Sequence, residues 1–510
     1  MSEPLDDRFN DFLELKRHAA DSPEAIALAA PGRKPLPYAR LRDHLQTVRH
    51  TLESVGFRRG EVAALAMPNG PELFTAFLGI SSIGAGAPLN PTLTENEFCS
   101  YLGRLGARVL IVRDSGNSPA TAAAQSLGID VLRMRSTPDD PAGIFTMDQP
   151  EERQPARCAR VTDAALLIFT SATTATPKLV PLTSENLRVI VNLQSKSMRL
   201  CPADRFLSVM PLFHHYGLVS GLVQLFAGGV VISTAGFHPP SFLAWLDEFQ
   251  PTWFSSIPPV NRSILELARQ HPEVFRRTPL RFIRSAGTAQ TEALAVLAEA
   301  VGAPVLAGYG LTETGVVTRC TPEGIRLGSV GRSMGAELAI ADPQGNLLGA
   351  DLEGEVIIRG PSVTSGYLDD PEANEAAFRN GWFHTGDIGR LDSEGFLFLT
   401  GRLKEMINRG GEKIVPQEVD EALAGHPAVA DAAVFAIAHE TLGEDVAAAV
   451  VLRNGATTSE LELRKFAATR LAAFKVPRRI MFLDALPRNV TGKPQRAVLA
   501  EQFGMGRGKR

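Results

Sequence analysis

An apolar run, Ala164–Phe169, leads into Thr170-Ser171-Ala172-Thr173-Thr174-Ala175-Thr176-Pro177-Lys178. Short hydroxyl side chains and small residues, closed by a proline and a lysine, suit a turn that grips an anion. Backbone N–H groups in such a turn can face the anion, Ser and Thr hydroxyls add donors, and Lys178 adds positive charge. It is not a Walker A loop, which requires G-x-x-x-x-G-K-[ST]; here Leu179 follows Lys178. A Thr/Ser-rich turn alone is more often a solvated connection, so its weight depends on what lies downstream.

Several further clusters follow in order. Met210-Pro211-Leu212-Phe213-His214-His215-Tyr216-Gly217 puts two histidines beside aromatics, a setting more typical of a satisfied core histidine than of a functional one. Ser285-Ala286-Gly287-Thr288-Ala289 and Tyr309-Gly310-Leu311-Thr312-Glu313-Thr314 each fall just after a predicted strand, where open parallel sheets bind ligands. Glu313 beside two threonines can hold Mg²⁺ through oxygen ligands, or it can be the carboxylate of a helix start. Asp387, in Gly386-Asp387-Ile388-Gly389, is expected in a Gly-rich turn, either accepting two hydrogen bonds from adjacent ribose hydroxyls or closing an Asx turn. Gly401-Arg402-Leu403-Lys404-Glu405 and Asn408-Arg409-Gly410-Gly411-Glu412 come next. Near the end, Thr491-Gly492-Lys493-Pro494 places a lysine on a glycine hinge, from which it can reach a site belonging to another domain.

The elements that must position these residues alternate. Val62–Ala66 reads as a strand, Glu72–Ile83 as a helix after the Pro68-Asn69-Gly70-Pro71 turn, and Val109–Val112 as a strand. After Lys178, Thr183 or Ser184 can cap a helix through Leu193. Strands are expected at 206–210, 230–234, 253–257, 281–286 and 305–307. Helices are expected at 216–227, 241–249, 260–270 (opened by Pro258-Pro259) and 291–301. Such alternation argues for parallel sheet covered by helices. After about Val316, short β-like runs divided by glycines, at 355–359 and 396–399, suggest a small antiparallel barrel or sheet. From about Glu405, helices at 416–424 and 459–471 mix with strands at 432–438 and 446–452, the size of a separate α+β domain.

The 510 residues exceed one ordinary core, so at least two domains are expected. Hydrophobic content of 44% and charged content of 21% fit a globular chain, and a net charge of −4 gives no electrostatic footprint for nucleic acid. Cys99, Cys158, Cys201 and Cys320 have no metal-ligand spacing and read as free thiols of a reducing, cytoplasmic setting. No signal peptide is visible at the N-terminus, and the longest apolar stretch, 218–232, is broken by Gln224 and Gly228-Gly229 and is too short to span a bilayer.

Together, from about Asp11 to Arg496, the motifs resemble the adenylate-forming superfamily: acyl-CoA synthetases, adenylation domains of peptide synthetases and beetle luciferases. The runs Ala87-Pro88-Leu89-Asn90-Pro91 and Phe474-Lys475-Val476-Pro477-Arg478 resemble the small- and medium-chain acyl-CoA synthetases, in particular the oxalate–CoA ligase-like branch. The resemblance implies an α/β fold, with a large N-terminal domain of two α/β subdomains plus a small β-barrel (1–403) and a mobile α+β C-terminal domain (404–510) hinged at Lys404. It implies ATP, Mg²⁺ and CoA as cofactor and co-substrates, and a small carboxylic acid as partner, in a monomer or homodimer. The acid would become an acyl-adenylate, then a thioester of CoA or, alternatively, of a carrier-protein phosphopantetheine. A nucleotide-binding homologue without full catalysis is a further alternative.

Residue by residue, the resemblance implies that Thr170, Ser171, Thr173, Thr174 and Lys178 grip the β- and γ-phosphates, with Thr312 on the α-phosphate and Glu313 holding Mg²⁺. Gly287, Thr288, Ala289, Tyr309 and Gly310 would wall the nucleotide, and Asp387 and Arg402 would bind ribose. Lys493 would sit on the carboxylate and bridging oxygens. Gly410 and Gly411 would line the thiol tunnel, and His214 would border the acyl pocket with His215, Gly217 and Ser256. The sequence departs from its relatives at Ala172, Ala175 and Leu179, where the family carries glycines, and at Ser184, where it carries histidine. Alanine allows less loop freedom than glycine, so either a stiffer loop binds ATP through the same donors or nucleotide handling is impaired.

Overall fold

The computed structural model describes residues 11, 13–113, 116–148, 160–170, 177–403, 405–410, 412–488 and 493–504. Its chain divides into two compact units, one of residues 1–170, 178–337 and 359–378, the other of residues 171–177, 338–358 and 379–510.

The first unit is built on two mainly parallel sheets. In the seven-stranded sheet the order is 146–147, 130–135, 109–113, 62–66, 85–89, 164–169 and 179–183. Val62–Ala66 and Ala85–Leu89 are buried at every position, because a strand inside a helix-covered parallel sheet has no solvent face. Ala164–Phe169 is a strand as expected, pairing parallel to 85–89 and antiparallel to Leu179–Thr183. The strand Leu179–Thr183 therefore turns the chain back immediately after the Thr/Ser-rich segment. Thr183 caps the helix Ser184–Ser197: its hydroxyl accepts from the Asn186 N–H while the Asn186 side chain accepts from the Thr183 N–H.

The nine-stranded sheet runs 332–333, 315–319, 305–311, 282–286, 253–256, 205–208, 230–233, 26–29 and 36–37. The six strands from 305–311 to 26–29 pair in parallel, and antiparallel pairs close both margins. Phe254, Ile283 and Val305 on one face pack against Phe242, Ile264, Leu294 and Leu297 of the covering helices. Burying each such side chain contributes about 1.5–3 kcal/mol. The helix Pro258–Gln270 begins on the two prolines, as expected, because a proline at the first helical position lacks only an N–H that the helix could not have used.

The second unit holds two five-stranded sheets. One is formed by 337–341, 354–359, 382–391, 378–379 and 397–402. The sequence suggested a small antiparallel barrel or sheet here; among the described residues the pairings form a sheet that does not close. The other contains the long hairpin Val429–His439 and Gly443–Leu452, with 479–482 added in parallel. It is packed by the helices Pro416–Ala424 and Glu460–Ala468 around Val419, Leu423, Val434, Val450 and Leu463. This is the expected α+β region. No helix among the described residues is long and apolar enough to cross a membrane.

Candidate active site

In the first unit the strand Val305–Leu311 runs farther than the sequence suggested, and it returns as Gly315–Arg319. Tyr309 and Gly310 thus lie within the strand, and Thr312-Glu313-Thr314 forms the tip of a hairpin. The helix start considered for Glu313 does not exist. The Thr314 hydroxyl accepts from the Leu311 N–H at 3.2 Å and donates to the Gly315 carbonyl at 2.8 Å, cross-bracing the tip. Gly315 has φ +69, and a Cβ there would meet Ile190 at 2.9 Å, so the turn depends on glycine.

Glu313 is buried, with 7% of its surface exposed, and its main-chain carbonyl accepts from the Thr364 N–H at 2.8 Å. The Tyr367 hydroxyl donates to Glu313 Oε1 at 2.8 Å, and the Lys178 ammonium stands 4.2 Å from the centre of the Tyr367 ring. Burial, then the neighbouring Glu313 charge, raises the Tyr367 phenol pKa, so the phenol stays a donor. Thr170 is fixed beside Lys178: its N–H donates to the Lys178 carbonyl at 2.9 Å, and its hydroxyl accepts from the Lys178 N–H at 3.0 Å. The structure therefore brings Lys178 and Glu313 onto one residue, Tyr367, that the sequence reading missed, with Thr170 fixed beside Lys178. Ser171, Thr173 and Thr174, with Ala172 and Ala175, lie outside the described residues.

Gly287, Thr288 and Ala289 follow the strand Phe282–Ala286, as expected. The Thr288 hydroxyl donates to the Ala289 carbonyl at 3.1 Å, and Tyr309 is buried. His214 and His215 open the helix His215–Phe226. Burial pushes both imidazoles down to about 4, with the Arg284 guanidinium adding to the effect on His215. Among the described residues neither Nε2 has a hydrogen-bond partner. These are neutral rings at ordinary pH, and the satisfied core histidine of the sequence reading is not what they are.

In the second unit Asp387 lies inside the strand Trp382–Leu391, not in a turn. Gly386 just before it has φ +72, which lets the strand kink while pairing continues. Glu355 holds the kink, accepting from the Gly386 N–H at 3.0 Å through one oxygen and meeting His384 Nδ1 at 2.7 Å through the other. Asp387 pairs in register with Arg402 across the sheet, and Arg402 Nε donates to Asp387 Oδ1 at 2.6 Å. Asp387 is 4% exposed, whereas the Arg402 side chain is 35% exposed, so the carboxylate is the enclosed partner.

Lys493 is exposed; desolvation, then the Arg402 guanidinium, lowers the pKa of its ammonium, and the Asp387 and Glu405 carboxylates oppose the shift. The expected ribose pair and the expected C-terminal lysine are thus electrostatic neighbours within one unit. Gly410 forms a left-handed turn (φ +60) whose N–H donates to the Leu442 carbonyl at 2.9 Å. Lys404 and Gly411 lie outside the described residues.

Residues 15–368 match the model of the AMP-binding enzyme family, and residues 418–493 match that of the AMP-binding enzyme C-terminal domain. The chain belongs to the AMP-binding enzyme family. It is 38% identical to an oxalate–CoA ligase of Arabidopsis thaliana over 502 residues, covering 96% of this chain and 98% of that protein. Among solved structures, ATP-bound MatB from Rhodopseudomonas palustris superposes with a TM-score of 0.87 at 27% identity, covering 97% of this chain and 99% of that one. O-succinylbenzoate coenzyme A synthetase of Bacillus subtilis, in complex with ATP and magnesium ion, superposes at 0.81 with 28% identity, covering 95% and 98%.

The residues present fit what an AMP-binding enzyme would hold. Among the described residues no three His, Cys, Asp or Glu side chains cluster as a metal cage. A single buried carboxylate such as Glu313 is instead the donor that suits Mg²⁺, an ion bound through one or two carboxylates together with substrate phosphates. Two further residues escaped the sequence reading: Arg284 and Arg319, both buried in the nine-stranded sheet. An arginine inside a strand otherwise built of Phe, Ile, Val and Thr was the available signal.

Proposed function

We propose that this AMP-binding enzyme activates a small carboxylic acid with ATP and passes the acyl group to CoA, releasing pyrophosphate and AMP. The observation that carries the reading is the buried Glu313 carboxylate, hydrogen-bonded by Tyr367 at 2.8 Å on the tip of a hairpin, in a chain similar from end to end to CoA ligases.

In the first step an oxygen of the substrate carboxylate attacks the α-phosphorus of ATP, and the bond to the bridging oxygen breaks as pyrophosphate leaves. No general base is required, since the acid is already ionised at neutral pH. The obstacle is repulsion between an anionic nucleophile and a polyphosphate. Glu313 would hold Mg²⁺, which would supply part of the compensating charge. Lys493 supplies a cation for the carboxylate and bridging oxygens, Thr312 donates to the α-phosphate, and Thr170 and Lys178 belong to the grip on the outer phosphates. Ser171, Thr173 and Thr174 would complete that grip; Asp387 and Arg402 orient the ribose, and Gly287, Thr288, Ala289, Tyr309 and Gly310 enclose the nucleotide. In the second step the CoA thiol sulfur attacks the acyl carbon and AMP departs.

The two steps need different groups at one place. We place the domain boundary at 403/404 and the hinge at Lys404, which would exchange Lys493 for the segment carrying Gly410 and Gly411. Lys404→Pro should separate the half-reactions, and a variant active in both would count against the hinge. We place the protein in the cytoplasm, where both ATP and CoA are available. Pyrophosphate release measured with a panel of carboxylic acids, followed by addition of CoA or a holo carrier protein, tests the reading: acid-dependent pyrophosphate and CoA-dependent thioester support it. Nucleotide binding without acid-dependent pyrophosphate would leave only a binding protein.

A further inference from the structure

Arg319 and Arg284 lie on strands of the nine-stranded sheet that flank the strand Val305–Leu311. Arg319 pairs across to Gly308, and Gly308 pairs to Ala286. Side chains alternate along a strand, so Arg284 and Ala286 share one face, and Arg319 joins them on it across a glycine that offers no side chain. Residues of the helices Ser184–Ser197 and His215–Phe226 meet Arg284 on this face. Arg284 is satisfied there by neutral groups alone: its guanidinium donates to Gln194 Oε1, to Ser220 Oγ and, at 3.3 Å, to the Tyr216 hydroxyl.

Arg319 has no such arrangement. It is 3% exposed, and among the described residues none of its three guanidinium nitrogens has a hydrogen-bond partner. Among the described residues, the side chains acting on its charge are Arg284, Tyr216 and Cys320, none of them a carboxylate. Burial, reinforced by the like charge of Arg284, lowers its pKa to about 9, so it is still cationic at neutral pH. An unpaired buried guanidinium is among the costliest groups a fold can carry, and its planar fork matches a carboxylate.

We infer that Arg319, backed by Arg284, binds the second carboxylate of the acid substrate, making this enzyme selective for dicarboxylic over monocarboxylic acids. This rests on the acid-activating reading and names the substrate class of the same site. The two ends of the acid lie along one strand: Gly308, opposite Arg319, precedes Thr312 by roughly 13 Å of extended chain at about 3.3 Å per residue. The arginine side chain spans part of that distance, and the acid spans the rest.

The test compares wild type with Arg319→Met on oxalate, malonate, succinate, glutarate and adipate, each against the monocarboxylic acid of equal chain length. Wild type should prefer at least one diacid in pyrophosphate release. The variant should lose about 10- to 100-fold of that diacid-to-monoacid ratio of kcat/KM, the worth of one charge-assisted contact. In thermal melts without ATP, the preferred diacid should stabilise wild type only, and the unliganded variant should melt no lower than wild type, because an uncompensated buried charge has gone. An unchanged ratio, or a wild type that prefers monoacids, overturns the inference while leaving acid activation standing. Pyrophosphate release with no acid at all would remove the activating reading, and the melts would then decide on their own whether Arg319 holds a carboxylate. If Arg319→Met fails to fold, Arg319→Lys keeps the charge without the fork and should give an intermediate ratio.

Discussion

The Tyr367 hydroxyl donates to Glu313 at 2.8 Å while its ring lies 4.2 Å from the Lys178 ammonium. One aromatic side chain thus touches both the carboxylate we propose for Mg²⁺ and the lysine we propose for the phosphate grip. Removing the hydroxyl alone, in Tyr367→Phe, keeps the ring under Lys178 and removes its hydrogen bond to Glu313. Partners that orient a metal ligand are worth about 10- to 100-fold in metal affinity or activity. We expect the Mg²⁺ concentration for half-maximal pyrophosphate release to rise by that order. An unaltered Mg²⁺ dependence would show that the hydroxyl does not act on the metal.

Asp387 and Arg402 differ in burial, and the difference predicts an asymmetry. Taking Arg402 away removes an ion-pair partner from a carboxylate that is 4% exposed; taking Asp387 away leaves a guanidinium on a side chain 35% exposed, which water can solvate. A buried charge that loses a partner costs more than an exposed one. Arg402→Ala should therefore lower the urea midpoint more than Asp387→Ala, by a difference of about 1–2 kcal/mol, while both raise the KM for ATP. Equal losses, or the reverse order, would contradict the assignment.

The lowered pKa of Lys493 bears on the alkaline limb of the adenylation rate. Desolvation and Arg402 make the ammonium lose its proton at lower pH than an ordinary lysine, so kcat/KM for adenylation should fall earlier on raising the pH than a free lysine would require. Lys493→Arg should move that limb upward, since a guanidinium keeps its charge, even if the absolute rate drops. A limb that stays in place in the variant belongs to another group.

Stability should respond to acid through three buried histidines. His44, His214 and His215 are each held down to about 4 from an ordinary 6.5. Between those values the unfolded chain binds protons that the folded chain refuses, so stability is complete above about pH 6.5 and falls as pH drops toward 4. The slope can reach about 1.4 kcal/mol per pH unit for each ring. Urea midpoints measured from pH 7.5 to 4.5 should show the decline, and His44→Gln together with His215→Gln should flatten it. A flat wild-type profile would refute the burial argument.

Local pattern made much of the scaffold legible. All-apolar Val62–Ala66 and Ala164–Phe169 are strands, Thr183 caps its helix, and Pro416–Ala424 is a helix, because each is set by residues within a few positions. The misreadings share a cause, partners that lie outside the element being read. Val305–Ala307 continues to Leu311 only because Gly315–Arg319 folds back on it. Asp387 lies in a strand rather than a turn because 397–402 pairs across it, and the glycines that suggested a turn instead provide a kink. Tyr367 reaches Glu313 from 54 residues away, and Arg319 meets the surroundings of Arg284 across an intervening strand. No periodicity encodes such meetings. The types of Glu313, Asp387, Arg402 and Lys493 were readable as chemistry, whereas their neighbours were not.

The central claim is that Lys493 serves acid activation and not thiol transfer. It is tested most directly by measuring the two half-reactions of Lys493→Ala separately: acid-dependent pyrophosphate release, and thioester formation from a supplied acyl-adenylate and CoA. The account predicts a loss on the order of 10²–10³ in the first, as for removal of one preorganised donor to a developing charge, with the second largely intact. Equal losses in both half-reactions, or an undiminished first one, would contradict it.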